Sequence, residues 1–233
     1  MPSAETLRVA GAAASLAVAP LARGQRIAVL AELRQVCLDG RVAELPRPTG
    51  VSTGHPSLDA ALPGGGWPRG AVTELLCDAC GIGEFSLLLP ALVALARGGR
   101  HLACIAPPHL PYAPALRQAG LPLERLLLIQ PEDGDALRLS LWAAEQLLRC
   151  PAIGAVLLWP GAIDERRVRR LQLAAETGGG CGLLYRPTQA AQQSSPAALR
   201  LQLAPASDGL RIHVRKSRGG QAHAVVVHPA ARA

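Results

Sequence analysis

Gly50 to Leu89 reads GVSTGHPSLDAALPGGGWPRGAVTELLCDACGIGEFSLLL, and this stretch decides the fold. Thr53-Gly54 and Leu58-Asp59 open a short helix, while Gly64-Gly65-Gly66 and Pro68-Arg69-Gly70 make tight turns. Ala71 to Leu76 is an apolar run ending in Cys77, which predicts a buried strand leading into a phosphate loop. In a working loop, GxxxxGKS or GxxxxGKT, backbone N–H groups cradle the phosphates, the Lys reaches the outer phosphates and the hydroxyl holds magnesium. Here the loop reads Cys77-Asp78-Ala79-Cys80-Gly81-Ile82-Gly83-Glu84-Phe85. With Gly83 as the glycine before the lysine, Glu84 stands where Lys belongs and Phe85 where Ser or Thr belongs. Exchanging a cation for a carboxylate about 4 Å from a phosphate reverses a pair energy of roughly 4 kcal/mol at an effective dielectric of 20. Gly81, Gly83, Glu84 and Phe85 are therefore expected to form a degenerate nucleotide site that takes no cofactor and no metal. Two readings of Glu84 stay open. It sits on the exposed N–H groups at the start of the helix it opens, in place of a phosphate, or it is an ordinary first-turn glutamate.

The 233 residues suffice for one good core with an N-terminal appendage. The formal charge is +7 and is unevenly placed: residues 161–233 carry eleven basic and four acidic residues, while the first 160 residues balance. Such a basic face favours nucleic acid or an acidic partner, and a solvated surface is the plain alternative. Six cysteines, Cys37, Cys77, Cys80, Cys104, Cys150 and Cys181, lie far apart except for Cys77-x-x-Cys80. Neither a second close pair nor clustered histidines accompany that pair, so reduced thiols are expected rather than a zinc site. The Ala-rich run Val9 to Ala22 lacks a basic start and is interrupted by Ser15 and Pro20, which reads as a flexible leader rather than an export signal. No stretch is long and apolar enough to span a bilayer, and a cytoplasmic location is expected.

Further along, Gln25 to Leu38 carries a helical apolar stripe, and Arg41 to Gly50 with Pro46 and Pro48 reads as a linker. Helices are predicted over Phe85 to Ala96, Tyr112 to Ala119, Asp135 to Arg149 and Asp164 to Thr177, the last with Val168, Leu171 and Leu173 turned inward. Strands are predicted over His101 to Ala106, Leu126 to Ile129, Ile153 to Leu158, Cys181 to Tyr185, Leu199 to Leu203, Leu210 to Val214 and Ala222 to Val227. The acidic run Glu132-Asp133-Gly134-Asp135 precedes a helix and reads as capping rather than as a metal site.

The order of STG, LD, a glycine-rich turn, PxG, an apolar strand carrying Glu74 and a glycine loop opening a helix resembles the RecA family. In that family the strand here spanning Ile153 to Leu158 ends on the aspartate that holds magnesium, and Trp159 stands there. The glutamate that activates water follows the strand His101 to Ala106. Here Pro107-Pro108-His109-Leu110-Pro111 follows, with no acid between Glu84 and Glu124. The resemblance therefore implies a fold without ATP hydrolysis. It also makes Arg166, Arg167, Arg169 and Arg170 similar in place to the first DNA-binding loop of RecA, and Arg186 to Pro196 similar to the second. Arg215, Lys216 and Arg218 resemble the basic segment set near a neighbouring subunit's nucleotide. Arg166, Arg167, Arg169, Arg170, Arg186, Arg215, Lys216 and Arg218 are candidate DNA or partner contacts, and a solvated helix face is the alternative for the first four.

Leu75 to Glu84, Ile105 to Leu116 and Arg169 to Glu176 resemble the ImuA family, a RecA-like branch related to SulA. This resemblance implies an α/β fold: a RecA-like core with a mainly parallel central sheet flanked by helices, C-terminal antiparallel strands and a small N-terminal helix. The expected division is a leader over 1–24, the N-terminal helix and linker over 25–49, a degenerate RecA-like domain over 50–228 and a tail over 229–233. The implied function is that of a non-catalytic accessory protein of SOS-induced, error-prone translesion DNA synthesis. Its implied partners are an ImuB-like relative of Y-family polymerases and an error-prone C-family polymerase, with RecA as a further partner and direct DNA contact left open. The alternatives are a SulA-type division inhibitor binding FtsZ and an ATP-dependent recombinase with an unconventional site.

Overall fold

The computed structural model describes residues 7–11, 14–18, 50–131, 135–207, 209–217 and 224–227. A hairpin of β1 (Leu7–Gly11) and β2 (Ala14–Val18) comes first, then a ribbon of β3 (Gly50–Val51) and β4 (Trp67–Pro68) enclosing α1 (Pro56–Ala61). The chain then alternates through β5 (Ala71–Leu76), α2 (Glu84–Arg97), β6 (His101–Ile105), α3 (Ala113–Gln118), β7 (Leu126–Pro131), α4 (Ala136–Leu148), β8 (Ile153–Leu158), α5 (Glu165–Gly178) and β9 (Cys181–Arg186). It ends in β10 (Leu199–Ala206), β11 (Gly209–Ser217) and β12 (Ala224–Val227).

These strands form one sheet in the order β12-β11-β10-β5-β9-β8-β6-β7-β1-β2. From β10 to β7 neighbouring strands run parallel, and antiparallel strands close both edges. The fold is the α/β architecture expected, with a mainly parallel centre and antiparallel C-terminal strands. Every residue of β5, β8 and β9 is buried, which explains their nearly unbroken apolar sequences, because parallel strands are covered on both faces. Successive residues serve opposite faces. Leu75, Leu157, Leu183 and Tyr185 pack with Leu87, Leu88 and Leu92 of α2, whereas Val72, Val156, Leu158 and Leu184 pack with Leu147 and Leu148 of α4 and Val168 and Leu171 of α5.

The STG and LD segments form one network beside α2. Asp59 accepts hydrogen bonds from Ser52 Oγ at 2.6 Å and Thr53 N–H at 2.7 Å. Burial opposes ionisation of Asp59, but these hydrogen bonds hold its carboxyl below the usual range. Gly54, at φ +80°, could not carry a side chain, since an added Cβ would lie 2.4 Å from Pro90 of α2.

Glu74 lies fully buried inside β5. Arg186 Nη1 meets its Oε1 and Arg200 Nε meets its Oε2, each at 2.5 Å. Other guanidinium donors reach carbonyls, Arg186 Nη2 to Ile163 at 2.6 Å and Arg200 to Gln193 at 2.9 Å and Ala190 at 2.5 Å, while the buried Arg186 Nε has no partner among the described residues. This triad fastens the crossover between β9 and β10 onto the sheet.

Several expectations change. Arg186 is 3% exposed and committed to Glu74, so it is no surface contact for DNA or a partner. Leu173 is 51% exposed rather than inward, since two residues beyond Leu171 is about 200° around a helix. Asp135 stands at the N-cap of α4, but its carboxylate pairs with Arg138 instead of capping. Cys77, Cys80, Cys104 and Cys181 are free thiols, whereas Cys150 is disulfide-bonded, against the all-reduced expectation. The stretch read as a leader over 1–24 supplies β1 and β2, with β1 pairing against β7 at the edge of the parallel sheet. The helix expected over Gln25 to Leu38, Arg218 and the tail lie outside the described residues.

Glu74→Ala would leave two buried guanidinium groups without their counter-charge. A stability loss of about 3–5 kcal/mol is expected from urea unfolding, and a loss below about 1 kcal/mol would contradict the triad's role.

Candidate functional site

The loop after β5 leaves the carboxyl edge of the parallel sheet, where ligands of open α/β folds bind. Cys77 N–H donates to Arg186 O at 2.9 Å, holding the start of the loop to β9. Asp78 accepts from Thr188 N–H at 2.8 Å and also from the Thr188 hydroxyl, which ties the loop to the segment after β9. Gly83, at φ +102°, makes the turn into α2. Glu84, the first residue of that helix, folds back so that its Oε1 accepts from Gly81 N–H at 2.9 Å. Glu84 therefore engages one N–H of the loop, two residues before the N-cap Gly83, and no side chain caps the N–H groups at the start of the helix.

Beneath the loop the site is aromatic. Trp159 follows β8 and stacks on Tyr185 of β9, with ring centroids 4.4 Å apart and planes within 4°. The Tyr185 hydroxyl donates to Glu84 O at 3.3 Å. Burial, then the charge of Glu84 and the neighbouring thiols, push the Tyr185 phenol well above its ordinary range, so it remains a neutral donor. Phe85 and Ile82 are half-buried against the same core. Gly81, Gly83, Glu84, Phe85 and Trp159 thus do come together, and Asp78, Thr188 and Tyr185 join them unforeseen. Thr188 lies 110 residues from Asp78, so spacing gave no sign of their contact.

The basic candidates separate into three situations. On α5, Arg166, Arg167, Arg169 and Arg170 are all exposed. Arg170 pairs with Glu145 of α4 at 2.6 Å, and Arg167 lies 4.0 Å from Asp164, whose carboxylate caps the helix by accepting from Arg167 N–H at 2.8 Å. Arg166 and Arg169 make no side-chain ion pair among the described residues, and with Leu173 they follow one helical stripe. Arg215 is exposed on β11, while Lys216 is half-buried and donates to Ser195 O at 2.6 Å. Arg200, which sequence reading passed over, completes the buried triad. A glutamate inside an otherwise apolar strand was its signal, since a buried carboxylate demands a counter-charge. A cavity of about 550 Å³ opens between α4 and α5 beside Trp142 and Arg170, away from the loop.

Protein ImuA of Caulobacter vibrioides strain NA1000 / CB15N is 30% identical to this chain over 197 residues, covering 73% of the chain and 80% of the relative. The chain belongs to the ImuA family. This ImuA-family chain is also similar to RecA: 33% identical over 108 residues to that of Chlorobaculum parvum and 35% over 108 residues to that of Deinococcus radiodurans. Each RecA match covers 46% of the chain, and about a third or less of the RecA sequence, 30% and 29% respectively. No protein-family model matches the chain. Among the described residues no helix is long and apolar enough to cross a membrane.

The loop thiols divide sharply in reactivity. Burial, reinforced by Glu84, Cys80 and Asp78, pushes Cys77 up to about 12, and burial raises Cys104 and Cys181 to about 12 as well. At pH 8 a thiol of that kind is ionised to about one part in ten thousand. Brief treatment of the native protein with iodoacetamide at pH 8 is expected to label exposed Cys80 while sparing Cys77, Cys104 and Cys181 on peptide mass mapping. Labelling of Cys77 as fast as Cys80 would contradict this loop geometry.

Proposed function

We propose that this ImuA-family protein is a non-catalytic, RecA-like accessory of SOS-induced, error-prone translesion DNA synthesis. The observation that carries the non-catalytic part is the 2.9 Å hydrogen bond from Gly81 N–H to Glu84 Oε1. A carboxylate of the chain takes a loop N–H that a phosphate oxygen would need, and its charge opposes a second anion there. Asp78 adds a further negative charge to the same loop, and Phe85 packs into the core where a hydroxyl would hold magnesium. The residues present do not suit magnesium-ATP, and no hydrolytic step is assigned to them.

Without nucleotide chemistry, the fold acts through its surfaces. The reading assigns it as an adaptor in the cytoplasm for an ImuB-like relative of Y-family polymerases and an error-prone C-family polymerase, with RecA as a further partner. The proposed division keeps an N-terminal helix with linker over 25–49, a degenerate RecA-like domain and a tail, with residues 7–18 contributing strands to the sheet instead of a free leader. The contact face proposed is the outer stripe of α5, where exposed Leu173 lies in line with Arg166 and Arg169. Exposed arginines beside an apolar side chain suit a protein interface, in which arginine is among the residues that carry much of the binding energy.

The full chain, tagged and recovered from damage-induced cells after nuclease treatment, is expected to bring down the ImuB-like protein and the C-family polymerase. Arg166→Glu combined with Arg169→Glu is expected to cut that recovery at least about tenfold, because reversed rim charges oppose association. Recovery of FtsZ without either polymerase-related protein would overturn the translesion reading in favour of division inhibition.

A further inference from the structure

The C-terminal hairpin presents a second basic surface, separate from α5 and from the loop. Along β11 burial alternates residue by residue: Leu210, Ile212 and Val214 are buried, while Arg211, His213 and Arg215 are exposed. The buried set joins the core together with Leu58 of α1, so that face of the hairpin is occupied. The opposite face is open. Arg211 stands beside Ala204 of β10 and Val226 of β12, and His213 stands beside Gln202 and Ala224. Directly opposed residues share a face, so a basic file runs between rows of small or neutral side chains. Arg215 sits where the β10–β11 register shifts, and such irregularities re-aim a side chain.

We propose that this open face of β11 binds a single strand of nucleic acid, with the guanidinium groups of Arg211 and Arg215 on its phosphates and the His213 ring beneath a base. Three observations favour that occupant. First, none of the three side chains makes an ion pair or hydrogen bond among the described residues, in contrast to Arg170, Arg186 and Arg200, so the charges of Arg211 and Arg215 are available. Second, alternate residues of a strand recur about every 6.8 Å, so Arg211 and Arg215 stand about 13.6 Å apart with His213 midway, a spacing of two phosphate steps along an extended chain. Third, the residues beside this file, Gln202, Ala204, Ala224 and the exposed Val226, include no acid among the described residues. The face lacks the large apolar centre that a protein interface uses, while an exposed imidazole between two arginines offers a stacking surface to a base. The whole positive excess of the chain lies in residues 161–233, the part that contains this face.

The test is fluorescence anisotropy of a labelled oligothymidylate at low salt with the full chain. Arg211→Glu combined with Arg215→Glu is expected to weaken binding at least about tenfold. Arg211→Gln combined with Arg215→Gln should make the slope of log affinity against log salt shallower by about 1.4, two phosphate contacts at about 0.7 each. His213→Ala is expected to weaken binding about fivefold through lost stacking. Circular dichroism melts check folding, and the glutamine pair serves if the glutamate pair does not fold. Arg211→Gln with Arg215→Gln should leave recovery of the polymerase-related proteins after nuclease unchanged, so failure of this site and failure of the adaptor reading are read apart. Wild-type affinity in the folded Arg211 and Arg215 variants would overturn the proposal. So would equal affinity of the wild type for polyglutamate, which would mark an acidic-protein surface, or tighter binding of a duplex.

Discussion

A carboxylate buried in the middle of a sheet must be neutralised where it stands, and Glu74 meets that requirement with two arginines from other strands. One comes from β9 and one from β10, so β5, β9 and β10 are held together by charge as well as by their backbone ladder. Arg200 also donates to the Ala190 and Gln193 carbonyls of the crossover between β9 and β10, and Arg186 Nη2 donates to Ile163 O just before α5. That crossover includes Thr188, the partner of Asp78, so the triad anchors the segment on which the loop after β5 is tied down. Removing one member of such a buried set costs more than its formation contributes, because the partners are left charged in an apolar setting.

On that anchored edge, the chain supplies from its own residues what a phosphate-binding loop ordinarily takes from its ligand. Glu84 accepts the Gly81 N–H, Phe85 packs inward and Trp159 covers Tyr185. The consequence is a RecA-like architecture whose carboxyl edge is internally paired. The surfaces proposed to carry its action are the outer stripe of α5 for proteins and the open face of β11 for a nucleic-acid strand. The first has an exposed Leu173 among its arginines, and the second is bordered by Gln202, Ala204, Ala224 and Val226.

The central strands were legible because parallel strands covered on both faces must be apolar throughout. Ala71–Leu76 and Ile153–Leu158 match the predicted runs at both ends. Two-sided burial also explains why the helices between them could be found from their apolar stripes. The hairpin of β1 and β2 was not legible, since short runs rich in Ala and Ser give little strand signal and the pairing is carried by backbone register. The loop's divergence could be read from Glu84 and Phe85, but the contacts that close it could not. Asp78 with Thr188 and Trp159 with Tyr185 join residues far apart in the chain, and only the assembled sheet brings them together. Arg186 looked like a surface contact for the same reason: its counter-charge lies 112 residues earlier, in β5.

Hydrogen exchange at the loop, followed by mass spectrometry or NMR with and without millimolar magnesium-ATP, tests the self-occupied site most directly. With Glu84 on the Gly81 amide, the segment Cys77 to Phe85 should already be slow to exchange in the free protein and should not change on adding nucleotide. Fast exchange in the free protein that becomes slow with magnesium-ATP would show a working phosphate loop and contradict the proposed non-catalytic role.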